Sequence, residues 1–199
     1  MDALLADLRR LAIGATHNQF QGPGGEQRLE NVRAYLTQRA AAPIVAVGEA
    51  GGYQGARWSG IAFTSERDLM RWGPPFRTTS DRPNGWSEPS GTIVHRTLEE
   101  LGAEHDVVLW NTVPTHPFVA GRPLSNRRPS AAEVAAGVPF LERVLAMISP
   151  SVVVGVGRVS QAALAGLCVD AVPVRHPSHG GAAEFAHGMR EVVGDVRAK

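Results

Sequence analysis

Three short, nearly unbroken apolar runs constrain this chain more than anything else in it: PIVAVG (43–48), DVVLWN (106–111) and SVVVGVG (151–157). A strand with one face in water alternates apolar and polar residues, whereas a run apolar throughout has both faces covered. The three runs therefore predict strands of a parallel sheet buried between helices. AVPVRH (171–176) is a weaker fourth. Helical patterns fall between them. GGEQRLENVRAYLTQRA precedes the first run, with Leu29, Val32 and Leu36 at helical spacing, and TIVHRTLEELG precedes the second and ends on Gly102. Ser130 with Glu133 forms a capping box opening AAEVAAGVPFLERVLAMI, and Ser65 with Asp68 forms another opening ERDLMRW. VSQAALAGL follows the third run, and AAEFAHGMREVVGDV closes the pattern. Helix and strand alternate, so the expected fold is α/β, a three-layer α/β/α sandwich around a parallel four-stranded sheet. Residues 1–199 read as one domain of this kind.

Composition narrows the chemistry. A single cysteine, Cys168, rules out a disulfide framework, a zinc ribbon or a four-cysteine iron–sulfur cluster within the chain. Its setting in ALAGLCVDAV predicts a buried helix end. A net charge of +1 permits a nucleic-acid partner without arguing for one. The N-terminal MDALLADLRRLAIG has no basic start or long apolar segment, and no window approaches about 18 consecutive apolar residues. No signal peptide or membrane span is expected, and the expected location is cytoplasmic.

Long irregular stretches at 50–64, 73–90 and 112–129 hold much of the glycine and proline, and loops of that length usually have a task. In an open α/β sheet that task lies at the carboxyl ends of the strands. Each run exits into something distinctive: Glu49 with Gly51, Gly52 and Gly55; Asn111; GVGRVSQ; and His176 in RHPSHGG. If the strands are parallel, these four segments meet on one edge. Taken singly, each has a plainer reading as a tight turn, a capped loop or a histidine bonded to backbone. The histidines at 17, 95, 105, 179 and 187 show no metal-ligand spacing and read as solvated or structural.

Nucleotide motifs fit poorly. No G-K-[ST] follows the first glycines, and Glu49 would repel a phosphate there. GVGRVS follows a strand and opens a helix, but lacks the downstream strand ending in an acid. Cleavage of a base–sugar bond fits better. A carboxylate orients water and stabilises positive charge on the sugar, while a histidine stabilises negative charge on the departing base. An Asn amide matches the O4 and N3–H edge of uracil, which is a tolerable anionic leaving group. A planar ring, Phe63 or Tyr53, can stack on the extruded base.

With these pieces in order, the chain resembles the uracil-DNA glycosylase superfamily from about Pro43 to Arg190. The resemblance rests on VGEAGGYQG at 47–55, GIAFTSE at 60–66, LWN at 109–111 and HPS at 176–178. It is strongest to the bacterial G-E-A-P-G type, without the cysteines of the iron–sulfur branch. It implies that Phe63 stacks on uracil, Asn111 reads its edge and His176 faces its O2. Pro177 and Ser178 would begin the loop that grips the strand, continuing through His179 and Gly180, with Gly51 and Gly52 close to DNA phosphates. Ala50 would lie under the base where relatives place Asp or Asn, so the water-activating role falls to Glu49. Relatives' acid at the far end of the loop meets Gly55, for which Glu66 is a candidate substitute. Gly180 stands where relatives carry an apolar wedge. Gly52 matches the aromatic that excludes thymine in one branch, with Tyr53 beside it. Arg127 and Arg158, with Arg122, Arg128 and Arg175, would form a basic rim for DNA. The expected protein is a monomer needing no cofactor or metal, which hydrolyses the glycosidic bond of uracil, or a related deaminated base, in DNA to begin base excision repair. A weakly catalytic lesion binder and a nucleotide-binding α/β enzyme remain the alternatives.

Overall fold

The computed structural model describes residues 1–198. In chain order the elements are α1 (Asp2–Arg10), β1 (Thr16–His17), α2 (Gly25–Gln38), β2 (Ile44–Ala50), α3 (Ala56–Ser59), α4 (Glu66–Trp72) and α5 (Pro89–Glu100). There follow β3 (Val107–Val113), β4 (His116–Pro117), α6 (Ala131–Ile148), β5 (Val152–Val156), α7 (Arg158–Gly166), β6 (Ala171–Val174) and α8 (Ala182–Arg197).

The expected parallel sheet is present, with order β3-β2-β5-β6 and every neighbouring pair parallel. β3 is buried along its whole length, and β2 until its last two residues, Glu49 and Ala50. That is why their sequences show no alternation. β6 is the exposed edge, which explains its weaker pattern and its tolerance of Pro173. α6 packs on β3, α7 on β2 and β5, and α8 on β6 and α5. α6 lies so close to the sheet that a Cβ on Gly137 would overlap the Thr112 carbonyl.

Both capping boxes form, and α6 begins and ends where the Ser130 box and the apolar pattern place it. β2 and β3 each run two residues past the expected end, so Glu49 and Asn111 lie inside strands. β1 and β4 escape sequence reading; they form a two-residue antiparallel pair joining segments a hundred residues apart. Cys168 does follow a helix, but it is exposed in a left-handed conformation, correcting the expectation of burial.

The topology fixes where a site can form. β2 leads toward β3 on one side, while β5 leads to β6 on the other. Connections therefore diverge between the two central strands and open a crevice at their carboxyl ends.

Candidate active site

That crevice is a cleft of about 890 Å³, and it gathers Glu49, Phe63, Asn111 and His176 from four separate segments. Its floor depends on Gly48. In the β2–β3 register Gly48 is opposite Asn111. A Cβ there would stand 2.5 Å from Phe63 Cε2 and 2.8 Å from Asn111 Oδ1. Only glycine lets the ring and the amide meet at one point, and both side chains are almost fully buried.

Phe63 is held in the left-handed region at φ 51°, a conformation a bulky residue adopts only when its surroundings enforce it. Ser59 supplies the enforcement: its Oγ donates toward the carbonyls of Thr64 at 2.6 Å and Ile61 at 3.1 Å, and accepts from the Ile61 N–H at 3.0 Å. The Phe63 ring lies 5.7 Å from the His176 ring, tilted by 41°.

His176 has a determined tautomer. Its Nδ1 accepts the backbone N–H of Ser178 at 3.1 Å and lies 2.7 Å from Ser178 Oγ. A nitrogen that accepts a backbone N–H carries no proton, so the neutral ring bears its hydrogen on Nε2. Burial, with the charges of Arg175 and His179, pushes the pKa of His176 below the usual value and keeps the ring neutral near pH 7. Glu49 is half-buried, and its pKa is raised by desolvation, opposed by the charge of Arg128.

Ala50, Gly51, Gly52, Ser178, His179 and Arg158 also line the cleft. Pro177 is buried within the turn, and Gly180 is exposed at its tip with φ 78° and nothing within 4 Å of an added Cβ. Tyr53 is not on the cleft; its ring packs edge-on against Trp86, with centroids 6.1 Å apart. Of the two candidate stacking rings, only Phe63 is in position.

Two charged candidates are committed elsewhere. Arg127 touches the cleft, but its five N–H donors are spent on the Phe118, Arg128 and Ala15 carbonyls and on both oxygens of Glu133. That bidentate pair, together with the cap bonds from Ser130, lowers the Glu133 pKa to about 2. Arg127 thus braces the wall, while Arg128, Arg158 and Arg175 are exposed on the cleft. Glu66 is fully buried away from the cleft and accepts the N–H groups of Thr79, Ser80 and Trp86. It organises the 73–90 stretch and does not replace an acid at Gly55.

Sequence reasoning missed Glu88, which also lines the cleft. The only signal was an acid beside Pro89, at the end of a long loop.

The fold matches that of a solved structure over nearly the whole of both chains. Wild-type SMUG2 of Pedobacter heparinus superposes with a TM-score of 0.70 over 99% of this chain and 96% of that one, at 16% identity. At that identity the likeness is one of fold. The family model described as the Uracil DNA glycosylase superfamily matches residues 36–193, which takes in β2 through most of α8 and every cleft residue named above. The chain belongs to the uracil DNA glycosylase superfamily. No curated protein gives a significant match.

Proposed function

We propose that this protein excises uracil, or a closely related deaminated base, from DNA by hydrolysing its N-glycosidic bond. The observation that carries the reading is the meeting of Phe63 and Asn111 over Gly48, in one cleft with His176 and Glu49. The base, turned out of the helix, stacks on Phe63 while the Asn111 amide pairs with O4 and N3–H. His176 donates its Nε2–H to O2, and this bond strengthens as the bond to the sugar breaks and charge collects on the base. A neutral histidine serves as a donor here without needing a proton from solvent. Glu49 faces the sugar, where a carboxylate stabilises the developing cation and orients water.

Gly51 and Gly52 allow the DNA backbone to come close, and Arg128, Arg158 and Arg175 form the basic rim. The chemistry draws on side chains alone, as a cofactor-independent monomer opening base excision repair. The bare turn at Gly180 offers no apolar wedge to fill the gap left by an extruded base. Single-stranded or mismatched substrates, where extrusion is cheapest, are therefore expected to react fastest.

The test is release of uracil from single-stranded, U:G and U:A oligonucleotides by purified protein, in that expected order of rate. If all three remain intact, the proposal fails. Tight binding to uracil or abasic DNA without turnover would select the lesion-binding alternative.

A further inference from the structure

Glu88 directly precedes α5, where an acid most simply caps the helix, yet its side chain makes no capping bond. Its carboxylate instead crosses to the loop that follows Glu49. A Cβ on Gly52 would stand 2.6 Å from Oε1, and one on Gly55 would overlap Oε2 outright. The two glycines thus clear the space that the carboxylate fills.

Oε2 is buried and, among the described residues, has no hydrogen-bond partner. An unpartnered buried carboxylate oxygen is rare and costly in a folded protein. The fully buried glutamates Glu66 and Glu133 are both served: Glu66 by three backbone N–H groups and Ser80, Glu133 by Arg127 and Ser130. Desolvation, reinforced by the negative charge of Asp68 on α4, pushes the Glu88 pKa up to about 7. The cleft that Glu88 helps to line also carries Glu49 from β2, Arg127 and Arg128 before α6, Arg158 on α7, and Arg175, His176 and His179 from the segment after β6.

We propose that Glu88 is a second catalytic carboxylate of this cleft and takes the proton from the attacking water, leaving Glu49 to stabilise the sugar cation. The proposal rests on the glycosylase reading above. The water oxygen bonds to C1′ as the C1′–N1 bond breaks. The electron pair of that bond passes to uracil N1, whose anion is held by His176, and the water proton passes to the Glu88 carboxylate. The products are the uracil anion, which takes a proton from solvent, and a sugar with a 1′-hydroxyl, and Glu88 returns its proton to solvent. The groups divide as acid–base pairs commonly do, by environments that separate their proton affinities. Glu49, half-exposed and near Arg128, keeps its charge more readily than Glu88 does.

Single-turnover uracil release by the full-length protein, measured on a single-stranded oligonucleotide from pH 5 to 9, tests the assignment. Wild-type rates should rise with a midpoint near pH 7, as a base that must be deprotonated requires. Glu88→Gln should lose roughly a hundredfold or more and flatten that rise. Its affinity for an oligonucleotide carrying 2′-fluoro-2′-deoxyuridine, which resists hydrolysis, should be unchanged. Because the Cβ of residue 55 would reach the carboxylate's place, Gly55→Asp combined with Glu88→Ala should recover part of the rate and shift the midpoint. A Glu88→Gln variant with the wild-type rate and pH profile overturns the assignment while the glycosylase reading stands. So does one whose lower rate keeps the wild-type pH midpoint. A wild type that releases no uracil overturns both.

Discussion

Two glutamates tied to the 73–90 stretch are treated in opposite ways. Glu66 is closed off completely, each oxygen matched to N–H or hydroxyl donors from Thr79, Ser80 and Trp86. Glu88, beside the cleft, keeps a buried oxygen with no partner among the described residues. The first arrangement is what folding selects, since every desolvated lone pair is repaid locally. The second leaves a desolvated oxygen without a protein partner, an arrangement that opposes folding. The cleft repeats that contrast in Phe63, whose backbone is strained, against the relaxed Arg127–Glu133 wall.

That contrast breaks most visibly at the chemistry. His176→Ala and Asn111→Ala should each lower uracil release by about 10²–10⁴, with melting temperatures close to wild type. A variant that loses activity only because it melts would place these residues with Glu66. Glu66→Ala should do the reverse. It orphans three backbone donors at a cost of roughly 2–4 kcal/mol, seen as a melting temperature lower by roughly 5–15 °C, with activity kept well below the melt. Unchanged melting would mean that the 73–90 stretch is held by something else.

Glu88 sharpens the comparison through pH. Its folded pKa is about 7 against an ordinary 4.5, so the folded protein holds a proton that the unfolded chain releases between those values. The stability this contributes is complete below about pH 4.5 and lost as pH rises through about 7. Urea unfolding should therefore show Glu88→Gln gaining roughly 1–3 kcal/mol on wild type between pH 5 and pH 8. A constant difference across that range would remove the claim that burial strains this group. The smallest effect belongs to the rim. Arg158→Ala should weaken DNA binding a few-fold and reduce the slope of log Kd against log salt by about one. Arg127→Ala should leave that slope alone and instead destabilise the protein, because it strands the Glu133 carboxylate.

The sheet was legible because burial on both faces leaves an unbroken apolar run, and α6 because a capping box and an apolar stripe agree on it. The meeting of Glu49, Asn111 and His176 was legible for a related reason: parallel strands bring their ends together whatever the spacing in sequence, while Phe63 came from the family resemblance. What was illegible depends on space and not on order. Arg127 looked like a DNA contact because it sits among arginines in the loop after Asn111, where nothing in the sequence marks its bond to Glu133. Glu88 was hidden because what marks it is an absence, the missing side chains of Gly52 and Gly55 more than thirty positions away. β1 and β4 are too short to carry any periodic signal.

The braced turn at Ser59–Thr64 has an entropic consequence. A phenylalanine free to change rotamer would surrender that freedom when a base arrived, weakening capture by up to about 1 kcal/mol. Here the Phe63 side chain is almost fully buried on a backbone braced by Ser59, which leaves it little of that freedom. On the proposed reading the base would meet a fixed surface, and the ordering left to be done at encounter would belong mostly to the DNA.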